Sequence, residues 1–155
     1  MCMKNININT LAFNKLSGDM SSIRPFNSIV AEETPEGLLI RDFNVLILVS
    51  AIISTKEVDA HKCILKNNEY NVLIRLTHMR TNYGMDLESY TLTFDDNSIH
   101  EVCKPIFESK RVINAPNLLL PKGAGHYAIK VFIKHKDDEM WFVQSIQRIV
   151  VDSDG

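Results

Sequence analysis

Apolar side chains in this sequence recur mainly at every second position, the spacing of a strand with one wet face, and seldom at the three-and-four spacing of an amphipathic helix. From Tyr70 to Arg80, the residues Tyr70, Val72, Ile74 and Leu76 fall on one face, while Asn71, Arg75 and Thr77 fall on the other. Ser89 to Phe94 repeats the pattern with Tyr90, Leu92 and Phe94 inward, and Asp95-Asp96-Asn97-Ser98 then supplies turn chemistry. Tyr127 to His135 sets Tyr127, Ile129, Val131 and Ile133 against Lys130 and Lys134. The polar loop Lys136-Asp137-Asp138-Glu139 leads from there into Met140 to Val151, which together predict a C-terminal hairpin. In its second strand the apolar pattern of Trp141 and Val143 is interrupted across Ser145-Gln147 before Ile149 and Val151, as a bulge or a partly exposed edge would explain.

Asn44 to Ser54 is apolar at nearly every position, and its Val and Ile content predicts a central strand buried on both faces. Shorter strands are expected at Ile29 to Ala31, His61 to Leu65, Arg111 to Ile113 and Leu118 to Leu120, for a total of about seven to nine. The stretch from Leu16 to Gly37, with Gly18, Pro25, Pro35 and three glutamates, has little period and is expected to be loop. No repeat or linker divides the chain. The expectation is a single domain: residues 1–36 an N-terminal edge strand and loop segment, and residues 37–155 an antiparallel β-sandwich. Composition agrees, since 17 Ile and 11 Val stand against 7 Ala.

The segment Leu120-Pro121-Lys122-Gly123-Ala124-Gly125-His126-Tyr127-Ala128-Ile129 is the most patterned stretch, a Pro/Gly turn delivering Gly125-x-Tyr127-x-Ile129 to the start of a strand. It resembles the tyrosine corner of immunoglobulin-like sandwiches, in which a tyrosine near the start of a late strand packs inward and bonds a backbone group upstream. The resemblance implies an immunoglobulin-like arrangement in which Gly125, Tyr127 and Ile129 are critical to the fold. It carries no catalytic residue. Ile129 stands where that family often has a disulfide cysteine, and the only tryptophan is Trp141, so the resemblance implies a disulfide-free sandwich without the buried tryptophan of an earlier strand.

Length and charge narrow the functional classes. A chain of 155 residues can bury about two thirds of its unfolded surface, so its core needs neither metal nor disulfide. The formal charge is −2, with residues 1–30 summing to +2 and residues 31–60 to −4, and no basic stripe argues for nucleic acid as a partner. The N-terminus alternates polar and apolar residues, unlike a secretory signal. The apolar run from Val45 to Ile53 falls short of the roughly 18 residues of a membrane span. No membrane association is expected. Three cysteines, Cys2, Cys63 and Cys103, in no framework spacing, fit free thiols in a cytoplasmic protein.

The candidate metal set is His61-x-Cys63 with His100-x-x-Cys103, whose two His and two Cys match tetrahedral zinc in kind. Packed thiols and isolated histidines are the commoner outcome, and no cofactor is expected. No nucleophile elbow, phosphate loop, dinucleotide fingerprint or zincin helix occurs. His78 continues an inward face and reads as a core histidine, the acidic pairs read as polar loops, and Tyr83 reads as an exposed loop residue. The favoured function is a non-enzymatic module for protein binding or assembly, with a protein partner or a second copy of itself as a homo-oligomer. The alternatives are a metal- or thiol-dependent enzyme using His61, Cys63, His100 and Cys103, and a structural component of a phage or other mobile element.

Overall fold

A computed structural model describes residues 6–15, 23–25, 27–54, 64–65, 69–93, 99–101 and 105–155. The chain is all-β. The described residues form eleven strands: β1 (Ile6–Lys15), β2 (Ile23–Pro25), β3 (Ser28–Thr34), β4 (Gly37–Ser54), β5 (Ile64–Leu65), β6 (Glu69–His78), β7 (Tyr83–Thr93), β8 (Ile99–Glu101), β9 (Pro105–Leu120), β10 (Gly125–His135) and β11 (Phe142–Ser153). Among the described residues, no helix is long and apolar enough to cross a membrane.

Backbone pairing runs β2-β1-β4-β3-β11-β10-β6-β7, with β9 on the other side of β4 and β8 beside β9. The expected pair of separate antiparallel sheets is therefore one curled, mixed sheet. The physical reason is β3, which changes partner part-way along its length. Glu32 to Thr34 pair antiparallel with Leu39 to Gly37 of β4, while Ser28 to Ala31 pair parallel with Val150 to Ser153 of β11. A second parallel ladder joins β4 to β5. The strand expected at Ile29 to Ala31 is thus β3, while the rest of the stretch expected to be loop also holds β2; β3 joins β4 by the turn Thr34-Pro35-Glu36-Gly37, where Thr34 Oγ1 donates to the Gly37 carbonyl at 2.8 Å.

The curl is built into β4 and β9. Leu38 and Ile40 of β4 are buried at even positions, whereas Phe43, Val45, Ile47 and Val49 are buried at odd ones. β9 changes phase in the same place, from Leu120 and Leu118 to Ala115 and Ile113. The register between the strands skips Arg41 and Asn117, and Asn117 has φ of 55°, in the left-handed region that asparagine tolerates better than most residues. Pro116, which has no amide proton to give a ladder, adjoins the break. The two short strands expected around Arg111–Ile113 and Leu118–Leu120 are consequently one strand bent at this point. β4 is central as expected. Both of its faces are buried from Phe43 to Ile47, and Leu48 is exposed.

The core lies inside the curl, where Tyr70, Val72, Ile74 and Leu76 of β6 and Tyr127, Ile129, Val131 and Ile133 of β10 meet Val45, Ile47 and Val49 of β4. Each aliphatic side chain so buried contributes about 1.5–3 kcal/mol, which makes the period-two pattern the main source of stability. Side chains close one margin: Gln144 Nε2 donates to the Ile6 carbonyl at 2.8 Å, Ala12 N donates to Gln147 Oε1 at 3.1 Å, and the Thr10 and Ser145 hydroxyls lie 3.3 Å apart. At the other margin, Arg111 of β9 reaches β7, bonding Glu88 at 2.8 Å and placing its guanidinium 4.4 Å from the Tyr90 ring centre.

Tyr127 is buried, and its hydroxyl donates to the Gly123 carbonyl at 2.6 Å, tying the β9–β10 turn to the core. Replacing Tyr127 by Phe is expected to lower stability by about 1 kcal/mol, the usual net value of such a bond; an unchanged denaturant midpoint would show that the bond contributes nothing. The Tyr90 hydroxyl has no hydrogen-bond partner among the described residues. Burial of the phenol, opposed by the Arg111 charge and assisted by Glu88, pushes its pKa up to about 12. The unfolded chain gives up this proton near pH 10 and the folded chain later, so the folded state loses stability as the pH climbs from about 10 towards 12. Between about pH 9 and pH 11, wild type should lose about 1 kcal/mol more than Tyr90→Phe. Equal losses in denaturant melts of the two proteins would exclude this origin.

Candidate functional site

Side-chain parity along β10 and β11 determines what the protein shows to solvent on the outside of its C-terminal layer. In β10, Tyr127, Ile129, Val131 and Ile133 point inward, so Lys130, Phe132 and Lys134 point outward. In β11, Ile149 and Val151 are buried, and Ile149 pairs with Tyr127. Continuing that alternation unbroken would send Val143 inward. Instead the register shifts between Val131 and Phe132, and Gln144 is the extra residue: Val131 pairs with Ser145, while Phe132 pairs with Val143. The bulge turns Val143 outward beside Phe132, and Ile146, paired with Lys130, also faces out. The polar interruption at Ser145-Gln147 marks the place in the sequence, although Val143 keeps the odd-numbered parity of Ile149 and Val151.

The result is a group of exposed apolar side chains at one end of the layer: Met140, Trp141, Val143 and Ile146, of which Ile146 is 57% and Met140 68% exposed, while Phe142, paired with inward Ile133, takes the opposite face although it is also exposed. Cations border it. The Lys134 ammonium lies 4.9 Å from the Trp141 ring centre, and the Arg75 guanidinium lies 5.6 Å from that of Phe132 while also bonding Asp86 at 2.7 Å. Grouped apolar surface of this kind, rimmed by charge, marks interaction sites more often than isolated exposed residues do. At the other end of β11 the character reverses. Asp152, Asp154, Glu33 and Glu36 are exposed there, with Glu33 N donating to Asp154 Oδ1 at 2.9 Å, and exposed Val30 pairs with Asp152.

His61, Cys63 and Cys103 lie outside the described residues, as does the side chain of His100, whose backbone belongs to β8. Asp95 and Asp96 also lie outside them. Among the described residues, no group of three or more His, Cys, Asp or Glu is arranged to hold a metal. Gly125, Tyr127 and Ile129 stand together at the start of β10. Gly125 has φ of 140°, and a Cβ there would sit 3.2 Å from His78 Nε2. His78 is buried and packs edge-on against Tyr127, with ring centres 4.9 Å apart. Tyr83 is exposed, with the Lys122 ammonium 5.3 Å from its ring centre. Sequence reasoning missed the outer apolar run because Phe132 and Val143 occupy opposite parities, and only the bulge brings them side by side.

No family model and no curated protein matches the sequence. Among solved structures, the CooA pilin subunit from enterotoxigenic Escherichia coli is similar at a TM-score of 0.34 and 11% identity, over 96% of this chain and 97% of that one. Similarity that loose carries no inference about function.

Trp141 is the only tryptophan, so its fluorescence reports on this surface alone. With the Lys134 ammonium beside it, iodide should quench the emission more efficiently than caesium at equal ionic strength. In Lys134→Gln the difference should shrink; equal quenching by both ions in wild type would show that the indole lies elsewhere.

Proposed function

We propose that this chain is a non-enzymatic assembly module that associates with a second copy of itself through the outer face of its C-terminal layer. The observation that carries the reading is the exposed apolar group of Met140, Trp141, Val143 and Ile146, placed beside Lys130 and Lys134 at one end of β11 while Glu33, Glu36, Asp152 and Asp154 crowd the other. Two copies stacked across a two-fold axis with β11 strands antiparallel bring each basic, apolar end against the partner's acidic end, twice per dimer. Such isologous pairing is the commonest form of association between identical chains. The net charge of −2 sets little overall repulsion against it. The Gly125-x-Tyr127 entry, with its Tyr127 to Gly123 bond, supports an immunoglobulin-like description of the architecture within this reading.

Sedimentation equilibrium tests it. A mass near twice 17.7 kDa is expected at protein concentrations of about 100 μM, weakening with added salt as the charged ends are screened. Ile146→Glu should return the protein to the single-chain mass with its β-sheet dichroism intact. A single-chain mass for wild type under these conditions, or an unchanged dimer in Ile146→Glu and Val143→Glu, would overturn the proposal.

A further inference from the structure

A separate cleft of about 560 Å³ lies at the end of the sheet, between the β6–β7 turn and the turn that enters β10. Its lining includes Arg80, Lys122, Arg148, His78 and His126, and no carboxylate. Arg80, Lys122 and Arg148 have no ion-pair partner among the described residues, although the Lys122 ammonium rests over the Tyr83 ring. Three unpaired cations converging on one concavity, with no acid to balance them, focus a positive potential there.

The second observation is the hydrogen bonding of His78, which is 4% exposed. Thr81 N donates to His78 Nδ1 at 3.3 Å. The Thr81 hydroxyl, 2.8 Å from the same nitrogen, itself accepts a bond from Tyr83 N at 3.4 Å, leaving its own proton free to point at Nδ1. Nδ1 is thus an acceptor, and the neutral ring carries its proton on Nε2. Nε2 faces Gly125, which also lines the cleft, and has no hydrogen-bond partner among the described residues. A buried ring held rigid by one nitrogen and offering an unused N–H through the other is a preorganised donor, and an anion in the cleft would complete it.

We propose that this cleft binds a phosphate group, with His78 Nε2–H as a fixed donor and Arg80, Lys122 and Arg148 as the neutralising cations. Three positive charges favour a doubly charged oxyanion over a lone carboxylate. The volume exceeds what one small ion fills, leaving room for an esterified phosphate. The cleft adjoins the apolar group, because Arg148 shares the outward parity of Ile146 on β11, but the argument for it does not rest on the dimer proposed above.

The test is a titration of the ¹⁵N-labelled protein with inorganic phosphate and, separately, with glycerol phosphate, following the His78 imidazole nitrogens by NMR at constant ionic strength. A saturable shift of Nε2 is expected with at least one of the two. Saturation by glycerol phosphate would identify an esterified ligand, and saturation by inorganic phosphate alone would identify the free anion. Arg148→Gln and Lys122→Gln should each weaken binding by about tenfold, as loss of a charge-assisted bond does. Lys110→Gln, which removes an exposed cation on β9 outside the cleft, should leave it unchanged. No saturable shift with either probe, full affinity in both cleft variants, or an equal loss in Lys110→Gln would overturn the assignment.

Discussion

The shape of this protein depends on a reversal of side-chain parity that β4 and β9 undergo together at Arg41 and Asn117. On one side of the break these strands send even-numbered residues into the core, and on the other side odd-numbered ones, so a single long ladder supplies apolar surface to two differently oriented parts of the interior. One strand making such a switch alone would turn its side chains away from its neighbour's. Because both switch at the same rung, the ladder continues and the sheet bends. β3 can then leave β4 and join β11, which turns two layers into one curled surface with a shared core.

The margins of the curl are held differently from its centre. At the β1–β11 margin, the Gln144 and Gln147 side chains satisfy backbone groups of β1 that no strand ladder reaches. Across from it, Arg111 covers the Tyr90 ring and pairs with Glu88. Partly exposed ion pairs of that kind contribute little by themselves, and the guanidinium matters more as a cover over the aromatic face. The same bulge that places Gln144 at the margin turns Val143 outward, so closure of the core and creation of the exposed apolar run share one cause.

Much of the architecture is legible in the amino-acid sequence, because period-two burial is a local property: Tyr70 to Leu76 and Tyr127 to Ile133 could be assigned inward faces without knowing their neighbours, and the structure buries those faces. The polar interruption at Ser145-Gln147 in the last strand pointed to the bulge. What escaped is non-local. The parallel pairing of β3 with β11 joins residues more than a hundred positions apart, and nothing near Ser28 announces it. The β3–β4 turn did carry a signal, proline followed two residues later by glycine, which the surrounding glutamates obscured. The basic cleft was illegible for a similar reason, since Arg80, Lys122 and Arg148 come from three separate segments and meet only because two turns lie at the same end of the sheet.

The partner change of β3 bears on how the molecule reaches its native state. The ribosome delivers β3 well before β11, the strand whose edge it must join, so the curl cannot close until β11 has been made. Until then β1, β3 and β4 wait with apolar faces uncovered, and a pairing of such long sequence separation is of the kind that slows folding.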